Sequence, residues 1–368
     1  MRFVAILGRM DEKLETAADL AQLRDNIDRI DQTLADLLEQ RMKYALEIGR
    51  VKLRDGLPVY HPEREHAVMA RIREMFRSSR FPSGSAEKIF TEIMGACRDA
   101  QRALRVAYLG PPATYSHMAL ERRFGSSALA LPQETIADVF TAVVSGNADC
   151  GIVPVENSNE GSVAYTLDLL AEGRVQVIGE VFQPVHHCLL STQSSIERVR
   201  RVLAHPQALA QCRRWISRTL PQATIIETSS NGKAAEIAAS EDGTAAIAAK
   251  IAAGIYRLSV LAEGIEDNPD NITRFFVIGT TPTRPTGRDR TSLVIAVKDR
   301  PGILHDLLQV FARRGINMSR IESRPSRLKA WEYVFFVDLD GHFQVSPLAE
   351  ALAEMDAHVR SIRVLGSY

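Results

Sequence analysis

Val106-Ala107-Tyr108-Leu109-Gly110-Pro111-Pro112-Ala113-Thr114-Tyr115-Ser116 reads as a buried strand, a turn and the entry to a helix running from Ser116 to Phe124. The apolar run is short, and the Gly-Pro-Pro that closes it ends a strand and cannot extend a helix. The same alternation continues from Arg105 to Gly279. Thr135 to Ser145 reads as a helix, and Cys150-Gly151-Ile152-Val153 and Val175-Gln176-Val177-Ile178 as buried strands. Pro206 to Leu220 is helical, Thr224-Ile225-Ile226 a strand, and Lys233 to Ala239 helical again. This pattern predicts an α/β region with mainly parallel pairing.

Outward from that region both ends change character. Toward the N-terminus, Leu20, Leu23, Ile27, Ile30, Leu34, Leu37, Ala45, Ile48 and Val51 keep a three-four rhythm, which predicts one long helix from Leu14 to Lys52. Asp55-Gly56-Leu57-Pro58 ends it; helices over Pro62 to Phe76 and Ser85 to Ala103 follow, around a break at Phe81-Pro82-Ser83-Gly84. So long a helix beside two short ones cannot bury its stripe within the unit, so dimerisation through the stripe is expected, with a tetramer as a further level. Toward the C-terminus, Thr281 to Asp289 reads as a linker. Strand Ser292-Val297, helix Gly302-Arg314, strands Ile316-Ser323 and Trp331-Asp338, helix Pro347-Met355 and strand Val359-Leu365 give the order β-α-β-β-α-β, a ferredoxin-like unit. The expected domains are therefore 14–104, 105–280 and 290–368.

Bulk properties narrow the function. The chain has 368 residues, too many for one ordinary core, and 45 Lys plus Arg balance 45 Asp plus Glu. That balance gives no reason to expect a nucleic-acid or membrane partner. Cys97, Cys150, Cys188 and Cys212 form no paired-ligand pattern, and Phe3 to Leu7 is too short an apolar run for a secretory signal or a membrane span. A reduced cytoplasmic protein is expected. His186-His187 invites a metal, but adjacent histidines on a strand face opposite ways, and no metal, nucleotide or other cofactor is expected.

The candidate chemistry centres on Asn271-Ile272-Thr273-Arg274-Phe275, at the start of the apolar run Phe275-Phe276-Val277-Ile278. It sets a hydroxyl donor beside a fixed cation; alternation sends Thr273 and Phe275 to one face and Arg274 to the other, although at a strand end all three can border a cleft. A solvated Thr-Arg pair is the plain alternative. Together with Gly110-Pro111-Pro112-Ala113-Thr114-Tyr115-Ser116 and Val153-Pro154-Val155-Glu156-Asn157-Ser158, the run resembles prephenate dehydratase. The resemblance implies two periplasmic-binding-protein-like lobes with the site in the cleft between them. It implies Thr273 as proton donor to a departing hydroxyl. It further implies Arg274, Phe275, Thr114, Ser116, Glu156, Asn157, Ser158, Gln211 and Glu227 as substrate-binding residues. Ala113 stands where glycine is commonest, and Ala204 where some members have serine.

Leu23-Arg24, Ile27-Asp28, Leu37-Leu38, Arg41, Gly49-Arg50-Val51-Lys52 and Arg64-Glu65 resemble the all-helical chorismate mutase family. The resemblance carries Arg24, Arg41, Lys52, Arg64 and Glu65 over as binding residues, and Gln101 as the donor facing the ether oxygen. Cys97 lies one turn before Gln101, where some members have serine. His61 stands where aspartate is frequent. A Claisen rearrangement needs no nucleophile or metal; it needs a dianion held in a compact conformer and donors for the charge developing on oxygen, which Arg, Lys and Gln supply. On the helix Arg41 and Lys52 share a face and Arg24 points roughly 100° away, so Arg24 is placed to serve a partner's site.

Pro301-Gly302-Ile303-Leu304 and Ile321-Glu322-Ser323-Arg324-Pro325 resemble the paired motifs of the ACT regulatory domain. This implies L-phenylalanine as effector, bound between paired domains by Gly302, Ile303, Leu304, Glu322, Ser323 and Arg324. The expectation is thus an enzyme of three segments that converts chorismate to prephenate and prephenate to phenylpyruvate under phenylalanine control. The alternatives are a dehydratase alone, with a degenerate mutase segment kept for dimerisation, and a ligand sensor without catalysis.

Overall fold

The computed structural model describes residues 17–297, 300–325, 333–356 and 359–368. The apolar run Phe3 to Leu7, residues 14–16 of the expected first helix and Trp331 of the expected strand lie outside these. The chain separates into two compact units, one carrying the first helix with Ala100–Arg102, the other carrying Tyr60–Asp99 and Ala103–Tyr368. Among the described residues no helix is long and apolar enough to cross a membrane.

In the first unit a single helix, Ala17–Arg54, runs 38 residues without proline. Its stripe Leu20, Leu23, Ile27, Ile30, Leu34 and Leu37 is 43–59 % exposed, so this chain alone does not bury it. The a/d-like spacing suits a facing helix rather than solvent. Near its end the Gly49 position is closed from outside: a Cβ there would lie 2.7 Å from Cγ of Gln101.

In the second unit the helices Pro62–Met75 and Ser83–Asp99 pack on one another. They also join the α/β region, because Tyr60 and Leu104 share one core with Val106, Tyr108, Phe124 and Phe275. That region is built from β1 (Arg105–Leu109), β2 (Leu129–Gln133), β3 (Cys150–Asn157), the short β4 (Gly161–Ser162), β5 (Gln176–Pro184), β6 (Cys188–Ser191), β7 (Arg201–Ala204), β8 (Thr224–Glu227), β9 (Thr244–Ala248), β10 (Ser259–Glu263) and β11 (Ile272–Gly279). The first lobe has strand order β2-β1-β3-β11-β5 and the second β10-β6-β9-β7-β8. Two lobes match the architecture expected from the sequence. The expected parallel pairing holds only for β1 with β2 and β3, and for β7 with β8 and β9. The chain leaves the first lobe after β5 and returns as β11, which inserts antiparallel to both β3 and β5. That return carries the Thr273 run into the sheet between β3 and β5, strands that end at Asn157 and Pro184, far back in the sequence. Within the second lobe the expected helix Pro206 to Leu220 is two, Pro206–Gln211 and Arg213–Thr219, broken where Cys212 leaves helical geometry at φ −111° and ψ 13°.

The C-terminal segment has the order β12 (Arg290–Ala296), helix Ile303–Arg313, β13 (Met318–Pro325), β14 (Tyr333–Asp340), helix Leu348–Asp356 and β15 (Ser361–Ser367). Its sheet order is β13-β14-β12-β15, the ferredoxin-like arrangement expected. Val294, Phe336 and Leu365 of this sheet share a core with Phe140, Leu167 and Phe276 of the first lobe. At Gly366 a Cβ would overlap the Val177 carbonyl, so β15 lies backbone against backbone on β5. The linker therefore connects two bodies already docked on one another.

Candidate functional site

At the end of β3 the Asn157 side chain accepts from the backbone N–H of Asn159 (3.0 Å) and Glu160 (3.1 Å) through Oδ1. This fixes the amide, so that Nδ2 points across the sheet and donates to Oδ1 of Asn271 (2.7 Å) and Oγ1 of Thr273 (2.9 Å). Asn271 donates in turn to Oε1 of Gln211 at 2.9 Å. His187 Nε2 lies 3.0 Å from the same Gln211 oxygen, and His187 Nδ1 lies 3.0 Å from the Tyr115 hydroxyl. A continuous polar chain thus runs Thr273–Asn157–Asn271–Gln211–His187–Tyr115, from the first lobe's sheet through the second lobe's first helix to the start of the helix Tyr115–Phe124.

The proton inventory gives the chain a direction. Gln211 Oε1 already accepts from Asn271, so His187 Nε2 must carry the proton it shares with Gln211. Burial pushes the His187 imidazole below its ordinary value, favouring the neutral ring, and the Tyr115 hydroxyl, which donates to His186 O at 2.8 Å, shares its one proton between that carbonyl and Nδ1. Burial likewise raises the Tyr115 phenol well above its usual range, keeping its proton in place. At the other end Thr273 Oγ1 accepts a hydrogen bond from Asn157, and among the described residues no acceptor holds the Thr273 hydroxyl proton. The half-buried hydroxyl thus keeps a proton that it can donate. A threonine hydroxyl is too weak an acid to ionise here; what the site supplies is orientation.

His187 neutrality has a consequence for stability. Its folded pKa lies below the ordinary 6.5, so below about pH 6.5 the unfolded chain binds a proton that the folded one refuses. That contribution to stability is whole at neutral pH and is lost as pH falls. Urea midpoints should drop between pH 7.5 and 5.5, and the drop should be smaller in His187→Gln; an equal drop in both would remove His187 as a cause.

Other expected site residues fall in different places. Ser158 Oγ accepts from Ile272 N at 3.0 Å and donates to Asp270 O at 3.3 Å, holding β11 beside β3. Thr114 caps the helix Tyr115–Phe124, accepting from His117 N and donating to Leu109 O at 3.2 Å, and Ser116 is buried in its first turn. The turn before it needs a left-handed residue: Ala113 sits at φ 68°, where glycine would be unstrained. Glu227 lies exposed at the end of β8, opposite Ala204 of β7. Phe275 is 1 % exposed in the core with Tyr60 and Phe124, so it is a packing residue contributing about 2–3 kcal/mol of burial rather than a wall of the cleft. Arg274 is the main correction: it faces away from Thr273 and is buried against Glu180 and Asp338. Glu156 lies on that same side, 3.7 Å from Arg274 and 3.6 Å from Arg320.

The regulatory candidates divide between the two faces of β13. Glu322 and Arg324 point inward, Glu322 to Ser162 and Arg320, and Arg324 to Asp168 at 3.5 Å. Ser323 is on the outer, exposed face. Gly302 adopts φ 80° at the start of the helix that follows it, with Ile303 in the core and Leu304 half-buried.

The mutase candidates also divide. Arg24 is exposed and Arg41 half-buried on the long helix, where Lys52 Nζ donates to Val59 O at 2.7 Å. Gln101 faces Gly49 in the same unit. In the other unit Arg64 is exposed, His61 precedes the helix Pro62–Met75, and Cys97 is buried. Glu65 is paired with Arg98 at 2.5 Å, and Arg98 also donates to Phe124 O at 2.7 Å. Sequence reading passed over Arg98, which carries no motif; it quoted Asn271 within the Thr273 run without a role of its own, and His187 drew attention only as a metal ligand. Two cavities of about 510 Å³ and 220 Å³ flank the linker and include none of the Thr273 chain.

Family descriptions match in succession: Chorismate mutase type II over residues 23–102, Prephenate dehydratase over 106–283 and ACT domain over 291–357. The bifunctional chorismate mutase/prephenate dehydratase of Aquifex aeolicus is 45 % identical over 95 % of this chain and 98 % of its own. The structure of prephenate dehydratase from Arthrobacter aurescens in complex with L-Phe is 37 % identical, covers 72 % of this chain and 89 % of its own, and has a TM-score of 0.66. GqqA, described as a novel type of quorum quenching acylase, is 32 % identical with the same TM-score of 0.66, covering 72 % of this chain and 97 % of its own. Fold and site together define an enzyme that joins a helical mutase segment, a two-lobed dehydratase and an ACT domain. The chain belongs to the bifunctional chorismate mutase/prephenate dehydratase family.

Proposed function

We propose that this chain rearranges chorismate to prephenate in its helical segment and converts prephenate to phenylpyruvate in the cleft at Thr273, with L-phenylalanine lowering the second step. The observation that carries the dehydratase reading is the Asn157–Thr273 hydrogen bond, which leaves the hydroxyl as a donor. The ring hydroxyl of prephenate leaves as water, taking its proton through Thr273. The ring carboxylate leaves as carbon dioxide, and its bonding electrons complete the aromatic ring. Bulk solvent restores the balance: prephenate dianion plus one proton gives phenylpyruvate, carbon dioxide and water. With Arg274 turned away, the substrate's carboxylates are met by the neutral donors of the chain and by N–H groups at the start of the helix Tyr115–Phe124.

For the mutase step, Arg41, Lys52 and Gln101 bind and polarise chorismate. A second copy supplies Arg24 and covers the stripe Leu20–Leu37, giving a homodimer. Gly49→Ala would displace Gln101; chorismate turnover should fall about tenfold or more while prephenate turnover holds. Unchanged mutase activity would remove Gln101 from the reaction.

The unpaired edge strand β13 and the exposed Ser323 and Gly302 support phenylalanine binding between paired ACT domains, as does the L-Phe complex of the Arthrobacter relative. A cytoplasmic location belongs to the same reading. Purified protein given chorismate, with and without L-phenylalanine, tests it. Phenylpyruvate should form and the effector should slow it. No loss of chorismate would leave a dehydratase with a dimerising helix, and binding of prephenate without turnover would leave a ligand sensor.

A further inference from the structure

Thr273 has a neighbour whose side chain is held entirely outside the cleft. Arg274 is 6 % exposed. Its Nε donates to Glu180 at 2.8 Å, Nη1 to Asp338 Oδ2 at 2.5 Å and Nη2 to the Tyr368 hydroxyl at 2.8 Å. Asp338 Oδ1 also accepts from Ser292 Oγ at 2.5 Å, and Ser292 lies 2.7 Å from the Tyr368 hydroxyl. Arg290 also reaches Glu180 at 3.0 Å, and Glu156 lies 3.7 Å from Arg274, so the Arg274 guanidinium is held among three carboxylates. Asp338 is on β14, Ser292 and Arg290 on β12, and Tyr368 follows β15; all belong to the C-terminal domain, whereas Arg274 belongs to the dehydratase.

A second observation lies in the backbone. Opposite β3 the register of β11 slips between Arg274 and Phe275, with Arg274 facing Glu156 and Phe275 facing Pro154. An irregularity of this kind interrupts the ladder and re-aims the side chains beside it. On its other edge β11 keeps unbroken register with β5 from Ile272 to Val277, which sets the facing of Thr273; on the β3 edge, where the ladder slips, the anchored Arg274 holds the strand beside Asn157.

We infer that Asp338 and Tyr368 are positioning residues of the dehydratase: by clamping Arg274 at the slip in β11 they keep Thr273 in reach of Asn157. The inference rests on Thr273 being the proton donor. It makes the C-terminal domain part of the basal catalytic machinery, independent of any effector.

The test uses full-length protein without phenylalanine, measuring kcat and KM for prephenate, with chorismate turnover as the folding control. Tyr368→Phe keeps the ring and removes the hydroxyl, and Asp338→Asn keeps the shape and removes the charge. Each should lower kcat about tenfold or more, move KM less than threefold and spare the mutase. On a Thr273→Val background Tyr368→Phe should cost nothing further. If Asp338→Asn fails to fold, Tyr368→Phe decides. Wild-type kcat in Tyr368→Phe, while Thr273→Val is inactive, overturns the inference. An active Thr273→Val overturns the donor reading on which it stands.

Discussion

Thr273→Val should lose about a thousandfold in kcat for prephenate, within the 10²–10⁴ range that a positioned proton donor contributes. Valine keeps the β-branched shape and the strand, so KM should stay within a few-fold and chorismate should still be consumed. Prephenate would then accumulate. Loss of both activities together would indicate a folding defect, and wild-type phenylpyruvate formation would remove the Thr273 hydroxyl from the mechanism. Asn157→Asp is the informative companion. A carboxylate has no N–H to offer Oγ1, so it would draw the threonine proton to itself and turn the donor away from the cleft.

The second large effect lies where the helical segment meets the first lobe. Arg98 is 6 % exposed, pairs with Glu65 at 2.5 Å and bonds the Phe124 carbonyl at 2.7 Å. Its guanidinium lies over the rings of Tyr60 and Phe124, at 5.9 and 5.6 Å. Arg98→Met would leave the Glu65 carboxylate and the Phe124 carbonyl without this partner, at a cost of about 3–5 kcal/mol. Equilibrium denaturation should show that loss. Glu65→Gln, which keeps a hydrogen-bonding partner for Arg98, should cost much less. Equal and small effects would mean the pair is solvated. Because Tyr60–Asp99 belongs to the same compact unit as the dehydratase, a fragment ending near residue 104 should lose mutase activity for want of this support.

Much of the fold was legible because its signals are local. The long helix follows from an unbroken apolar rhythm, and the β-α-β-β-α-β order from short runs separated by Gly and Pro. Strands β6 and β9, rich in small residues, and β2, which contains Pro132, carry no such rhythm and were missed. The antiparallel return of β11 is a long-range event that no run within the strand records.

The site shows the same split. Thr273 and Asn157 were singled out by residue type and position, and the structure joins them. Alternation correctly sent Arg274 to the opposite face, but a strand end was expected to let it border the cleft as well. The docking of the C-terminal sheet on that face, which no local run records, is what takes the cation. Glu322 and Arg324 are misleading in the same way. Their charges suit a zwitterion, yet period two along β13 turns both inward to Ser162 and Asp168.

A double-mutant cycle on Asn157→Ala and Thr273→Val, read as kcat for prephenate, tests most directly whether the amide acts by aiming the hydroxyl. The double variant should fall within about threefold of Thr273→Val alone, because an aimed group that is gone cannot be misdirected. A loss in the double variant equal to the product of the two single losses would contradict that coupling.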